Sequence, residues 1–425
     1  MLPLGASAQP YTWQHTLQKP AECVTFNPLS FGKTLFAASL ADTGIFRSDD
    51  GGMSWAQYND GLQPFSTSRI MQLYCLESDT NVVLAVSTSS GVFRSTNGGR
   101  KWSLVIENGG ILGEAITWHR ETDALYYGQN FMGPVWKSTD HGATWFESAG
   151  STEDIVLCTI AIEPQPRKRI LAGSGDGGIA LSDEEGKNWR IVYPEEDPGE
   201  LIRPEVPKIV WSEAMPSVVL ATRWLSKENA LVRSLDAGET WSTIKPAIPR
   251  SWGLEIDQRR DRIGAVGPER FWVGLFNRGL EPNNVSSVIE TRDGGFTWLS
   301  TRIPTVEQVW MLKYDTSSNR LVAATNDGIY VALADPAAPL PNASVAEPIA
   351  DDAPRFSNNP ANEFTQLELA EGETLRSVQL MDVVGRLAYE YASATLDVRK
   401  LAPGAYMAVI TTTKGVHQVS LMVMH

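Results

Sequence analysis

Gly44-Ile-Phe-Arg-Ser-Asp-Asp-Gly-Gly-Met-Ser-Trp55 reads as a short strand, a tight turn and the start of a second strand. Its marks are a Ser at 48, an acid two residues on, a Gly two further, and a Trp three beyond that. The pattern recurs as Ser95/Asn97/Gly99/Trp102, Ser138/Asp140/Gly142/Trp145, Ser182/Glu184/Gly186/Trp189, Ser234/Asp236/Gly238/Trp241 and Thr291/Asp293/Gly295/Trp298. Successive copies start 47, 43, 44, 52 and 57 residues apart, about the length of a four-stranded propeller blade.

Turn chemistry accounts for each mark. The Gly supplies a positive φ for the hairpin. The Ser hydroxyl and the acid bond backbone N–H groups within the turn. The Trp opens the following strand and packs between sheets, covering on the order of 150–250 Å². Glu184 and Asn97 depart from Asp; Asn can still cap the turn, whereas the longer Glu is expected to loosen the fourth hairpin.

These six copies resemble the Asp-box (BNR) repeat over residues 11 to about 333. That repeat occurs in bacterial sialidases, family 74 xyloglucanases, the sortilin propeller and the photosystem II assembly-factor propeller. The resemblance implies an all-β, seven-bladed β-propeller. Six boxes suffice for seven blades because Val309-Trp-Met-Leu-Lys-Tyr, Arg320-Leu-Val-Ala-Ala-Thr and Gly328-Ile-Tyr-Val supply three strands of a further blade with no box after them. Thr12-Trp13-Gln-His-Thr-Leu17 aligns with the strand that follows each box. The N-terminal strand is therefore expected to complete the last blade and remove an open sheet edge.

Residues 334–358, with Pro336, Pro339, Pro341, Pro348 and Pro354 among alanines, read as a semi-rigid linker. Residues 359–425 alternate as short strands and predict a small C-terminal β-sandwich. Asn359-Pro-Ala, Asp382-Val-Val-Gly-Arg386, Leu401-Ala-Pro-Gly-Ala-Tyr406 and the strand from Gly415 to Val423 resemble, in order, a type IX secretion C-terminal sorting domain. That resemblance implies the type IX secretion machinery as a partner and a secreted or outer-surface location in a Gram-negative, Bacteroidetes-type bacterium. A carbohydrate-binding or adhesion sandwich is the competing reading. Ala6-Ser7-Ala8 before Gln9 suggests that residues 1–10 are a signal-peptide remnant, the alternative being a flexible terminus.

Lys+Arg 36 against Asp+Glu 50 gives a net charge of -14, which repels nucleic acid at long range. No apolar run approaches the roughly 18 residues of a membrane helix, so no membrane insertion is expected. Cys23, Cys75 and Cys158 sit in apolar strands without metal or redox spacing and read as buried thiols. The five histidines are scattered, so neither a metal nor a cofactor is expected. His141, inside a box turn, reads as solvated. Gly173-Ser-Gly-Asp-Gly-Gly178 fits a dinucleotide fingerprint in letters but lies between two strands, which makes it a hairpin.

The residues marked by the repeat are all structural, so function is sought on the opposite face, in the loops between blades and between second and third strands. Asn130, Phe131, Arg223, Trp224, Trp252 and Arg278 are the candidate ligand-binding residues there. Asp42, Asp176 and Asp327 are the candidate catalytic carboxylates, if two of them stand at a glycosidase separation. A sialidase would need an arginine trio that cannot be placed, and family 74 enzymes join two propellers where this chain has one. The leading expectation is a secreted binding propeller that presents its loop face to a protein or glycan. The alternatives are a secreted glycoside hydrolase and a structural surface-assembly subunit.

Overall fold

The computed structural model describes residues 11–39, 44–62, 69–88, 90–107, 115–129, 133–151, 155–164, 168–193, 205–224, 230–244, 248, 250–260, 263–264, 267–277, 286–333, 355–357, 361, 363–369, 372–381, 387–401, 404–414 and 416–423. Residues 1–10 and the segment 334–354 lie outside them. The described residues fall into two compact units. Their one helical element is a 3-10 turn, Arg120–Thr122.

The larger unit contains seven four-stranded antiparallel sheets. Blade 1 runs Ala21–Phe26, Leu35–Ser39, Gly44–Ser48, Ala56–Gln57; blade 2 runs Ile70–Cys75, Val83–Ser87, Gly91–Ser95, Ser103–Glu107. Blades 3 to 6 begin at Ile116–His119, Leu157–Ile162, Glu205–Trp211 and Ser251–Ile256. The first strand of each blade is innermost. Ala21–Phe26 neighbours both Ile70–Cys75 and Val309–Asp315, which closes the ring.

Blade 7 takes Val309–Asp315, Arg320–Thr325 and Gly328–Leu333 from one end of the chain and Gln14–Leu17 from the other. Gln14 pairs Val331 and Leu17 pairs Ile329, with a bulge between His15 and Leu17. The first segment thus supplies the outer strand of the last blade. Tyr11 goes further and reaches blade 6: its hydroxyl donates to Glu290 and accepts from Trp272 Nε1 at 2.8 Å. Arg270 and Arg292 hold the other Glu290 oxygen, each at 2.7 Å. Tyr11, Trp272, Arg270 and Glu290 are all buried, so every polar partner in this group matters.

The boxes fold as turn chemistry requires. In the first, Ser48 Oγ accepts from Gly52 N at 2.8 Å, and Asp50 Oδ1 accepts from Met53 N and Ser54 N at 3.0 and 2.9 Å. Gly52 holds φ +85, and its carbonyl accepts from Trp55 Nε1 at 3.1 Å. The same Trp-to-Gly bond forms in the third, fifth and sixth boxes, also at 3.1 Å. The fourth box differs. Ser182 still accepts from Gly186 N, but Glu184 turns its carboxylate to the Asn188 side chain. Trp189 Nε1 is buried with no partner among the described residues.

Burial disfavours ionisation of the box aspartates, but hydrogen bonds outweigh it. Ser54 and Ser48 together with backbone N–H groups bring Asp50 from the ordinary 3.8 to about 2, and Thr144 and Ser138 do the same for Asp140. A depressed carboxylate stabilises the fold fully above its unfolded value and loses that contribution as pH falls through the folded value. The propeller is therefore expected to lose stability between about pH 4 and pH 2. Asp50→Asn combined with Asp140→Asn should flatten that slope in acid denaturation; an unchanged slope would mean that other groups govern it.

A second periodic device links neighbouring blades. The basic residue just before the box Ser reaches the turn of the next box: Arg47 Nη1 donates to Gly98 O at 2.6 Å, Arg94 Nε to His141 O at 2.7 Å, and Arg233 Nη1 to Gly294 O at 2.8 Å. In blade 3 that position is Lys137, which meets the Glu185 side chain instead. In blade 4 it is Leu181, and Arg169, just before the second strand, substitutes by reaching Ala237 O at 3.3 Å.

His141, expected to be solvated, is half-buried and pairs through Nε2 with Asp123 Oδ2 at 2.8 Å, which ties box 3 to the preceding turn of its own blade. The three cysteines are buried free thiols. Ile170–Ser174 and Ile179–Ser182 pair antiparallel around Asp176, so the glycine-rich stretch is a hairpin.

The smaller unit holds a four-stranded sheet (Leu387–Tyr391, Leu375–Met381, Gly404–Thr412, Val416–Val423) and a three-stranded one (Arg355–Phe356, Phe364–Glu368, Thr395–Asp397). Leu367, Val378, Leu380, Leu396, Ala408, Ile410 and Leu421 form its single core. Two sheets packed over one core make a sandwich.

Candidate functional site

The two faces of the ring differ in what they leave open. On the box face, Arg120 of blade 3 lies 2.7 Å from Glu77 of blade 2 and 3.6 Å from Glu213 of blade 5. Gln258 of blade 6 accepts from Glu213 N at 2.9 Å and donates to Trp211 O at 3.1 Å. This chain of contacts skips blade 4 and so crosses the channel mouth. The opposite, loop face has no such crossing among the described residues.

On the loop face three aromatic rings converge from two blades. Trp224 ends the second strand of blade 5, Trp252 lies in the first strand of blade 6, and Phe276 follows that blade's second strand. Trp224 stands edge-to-face to Trp252 at 5.2 Å and to Phe276 at 4.9 Å, while Trp252 and Phe276 stack at 5.1 Å. All three are half-buried. Trp224 Nε1 has no hydrogen-bond partner among the described residues. Such mutual packing adds about 0.5–1.5 kcal/mol per pair beyond area burial and fixes the rings.

The backbone around the cluster is strained. Arg250 holds φ +74, uncommon for a residue with a side chain. Its carbonyl accepts from Phe276 N at 2.9 Å, and Thr222 Oγ1 donates to Trp252 O at 2.7 Å. These two bonds place the rings against one another. Strain that survives in this way is concentrated at sites with a task.

A polar flank extends the cluster toward blade 4. Glu205 pairs in register with Trp224, and burial raises its pKa. Burial pushes the Cys158 thiol up to about 12, and the charges of Glu205 and Asp176 add to it. Asp176, Glu205 and Cys158 therefore share one neighbourhood. Arg223 is fully buried. Its Nε donates to Gly177 O at 2.9 Å, and its guanidinium lies 4.6 Å from the Tyr193 ring centroid. It ties the Asp176 turn to blade 5.

Asp327 lies apart from this group, at the blade 7 turn. Its Oδ2 accepts from Tyr330 at 2.6 Å and Thr305 at 2.7 Å, and His15 Nε2 meets its backbone oxygen at 2.9 Å. Burial disfavours its ionisation, but these hydroxyls and His15 hold its pKa below the ordinary value. That is the setting of a carboxylate acting as a structural acceptor. Asp42, Asn130, Phe131 and Arg278 lie outside the described residues.

Of the sequence candidates, the structure brings Asp176, Arg223, Trp224 and Trp252 into one band. It adds Glu205 and Phe276, which no pattern singled out. Phe276 was visible as an aromatic in a long loop. Glu205 shows itself only through strand register, at the end of an acidic stretch.

Residues 358–424 match the family of the secretion system C-terminal sorting domain. No curated protein matches the sequence. Among solved structures the chain is similar to YCF48 bound to D1 peptide, with 14% identity and a TM-score of 0.56 over 77% of this chain and 97% of that one. It is similar to YCF48 from Cyanidioschyzon merolae, with 11% identity and a TM-score of 0.54 over 76% and 98%. The GH74 enzyme of Niastella koreensis is similar at 12% identity and a TM-score of 0.55, over 97% of this chain and 67% of that one. Identities this low speak to the fold. With its seven four-stranded blades and the matched tail, the chain is a β-propeller carrying a type IX secretion C-terminal sorting domain, which directs it to the cell surface or the extracellular space of a Bacteroidetes-type bacterium.

Proposed function

We propose that the propeller is a non-catalytic binding module at the cell surface that captures a protein or glycan on its loop face, with Trp224, Trp252 and Phe276 as the anchor. The observation that carries this reading is the convergence of three half-buried rings on a strained backbone, beside a Trp224 N–H with no partner among the described residues. Aromatic anchors of this kind dominate binding energy where they occur. The rings pack partly edge to face, which suits an apolar side chain better than the flat face of a sugar. A similar propeller, YCF48, is known bound to D1 peptide, so a polypeptide is the first ligand to test.

Ligands selected on the immobilised propeller from a random peptide library and a glycan array supply the probes. Trp224→Ala and Trp252→Ala are expected to weaken capture by about 30-fold or more, the loss of one interface anchor worth about 2 kcal/mol. Both rings are half-buried, so the melting temperature is recorded for each variant. Capture unchanged in both variants discards this face.

Glycoside hydrolysis has one observation in its favour, a Glu205 carboxyl raised by burial in the same neighbourhood as Asp176. Turnover of a polysaccharide that disappears in both Glu205→Gln and Asp176→Asn would replace the binding reading with the enzymatic one.

A further inference from the structure

The fourth box departs from its siblings in two ways, both at one place. A cleft of about 910 Å³ opens on the box face where blades 3 and 4 meet, lined on one side by Lys137, Phe146 and Glu147 and on the other by Lys168 and the turn from Asp183 to Lys187. Glu184 accepts from the Asn188 side chain at 2.7 Å, as Asp50 does from Ser54, but among the described residues it makes none of the bonds to backbone N–H groups that Asp or Asn makes in the other boxes. The buried Trp189 N–H has lost the carbonyl that four sibling tryptophans use. Glu185 holds φ +58 at the turn position that Gly fills in three boxes and that His141 and Ala237 hold at φ +57 and +59 in two others.

The strained Glu185 has a task. Its carboxylate accepts from Lys168 Nζ at 2.6 Å, from Tyr126 OH at 2.7 Å and from Lys137. Burial opposes its ionisation, but those hydrogen bonds bring its pKa down to about 2. It therefore stays charged and fixes two ammonium groups on the cleft wall. Phe146 is 50% exposed although no core requires it there. The side chains of Glu147 and Lys187 have no partner among the described residues. Turn stability has been given up at this box, and a preorganised wall with an open ring stands in its place.

We propose that this cleft is a second binding site, taking an uncharged oligosaccharide independently of the loop face. The chemistry selects that class. Charges in the cleft nearly cancel: Glu185 neutralises one of the two lysines it holds, Asp183 pairs with Arg169 and Arg190, and Lys187, Glu147 and Glu184 line the same cleft. A charged ligand of either sign would therefore gain no net long-range attraction there. Hydroxyl groups, which both donate and accept, can satisfy ammonium and carboxylate partners together. The exposed Phe146 ring offers the apolar surface that a sugar's C–H face covers.

Cellohexaose, mannohexaose and maltohexaose, titrated calorimetrically into the full chain, test the assignment. At least one should bind, and Phe146→Ala and Lys187→Ala should each weaken it about 10-fold. Trp224→Ala should leave that binding unchanged, which separates this site from the loop face. Both cleft side chains are exposed, so folding is not at stake. The milder Phe146→Leu keeps the apolar bulk, removes the ring and should weaken binding in the same direction. Absence of binding by all three sugars overturns the proposal, as does binding that survives Phe146→Ala and Lys187→Ala.

Discussion

Tyr11→Ala is expected to destabilise the entire propeller by about 3–5 kcal/mol, the cost of emptying a buried aromatic site. The residue is 4% exposed, 279 positions away in sequence from its partner Glu290, and packed edge-on to Trp13 at 5.7 Å. Truncation removes the ring and also strips a donor from Glu290 and an acceptor from Trp272 Nε1, neither of which water reaches readily. Tyr11→Phe keeps the ring and isolates the hydroxyl, for which about 1–3 kcal/mol is expected. Urea denaturation followed by tryptophan fluorescence reads both, since the blades carry the indoles. One transition shifted to lower urea, with its slope unchanged, is the expected form, because the closing segment belongs to the cooperative ring. If Tyr11→Ala moves the midpoint by less than Tyr11→Phe is expected to, Tyr11 does not latch the ring.

What could be read from sequence divides along a physical line. The box writes its turn chemistry within eight residues, so Ser48, Asp50, Gly52 and Trp55 declare the hairpin and the repeat declares the blade. Even the N-terminal closure was legible, because Trp13 follows the same local rule as the other tryptophans. The basic residue before the box Ser was equally visible in four of the six copies, as Phe-Arg-Ser in the first two. Its partner was not, since Arg47 bonds a carbonyl 51 positions on and Arg94 one 47 positions on. The Tyr11–Glu290–Arg270 group is likewise invisible, joining residues whose identities carry no common spacing. The candidate site was half legible. Trp224 and Trp252 could be marked as loop-face aromatics, but their contact depends on the left-handed Arg250 and on strand registers that contain bulges. Arg223 shows the converse error risk: its place in the chain suggested the surface, yet its side chain turns inward to Gly177.

Gly328→Ala tests closure from the other side of the seam and is expected to cost about 2–5 kcal/mol, from left-handed backbone strain and a forced displacement. Gly328 has φ +135, and a Cβ there would sit 1.9 Å from Leu17 O and 2.8 Å from His15 Nε2. The clash with backbone cannot be relieved by a rotamer change, so the outer strand itself must move. Thr325 Oγ1 accepts from Gly328 N at 3.1 Å and donates to Gly328 O at 2.8 Å, which prevents the turn from yielding instead. The two variants together are more informative than either alone. If both act by releasing the segment Tyr11–Leu17, their combined effect cannot exceed the free energy of docking that segment, and the double variant must fall short of the sum. Full additivity within about 0.3–0.5 kcal/mol would instead mean two local defects in a ring that stays shut, and the N-terminal strand would lose its role as the closing element.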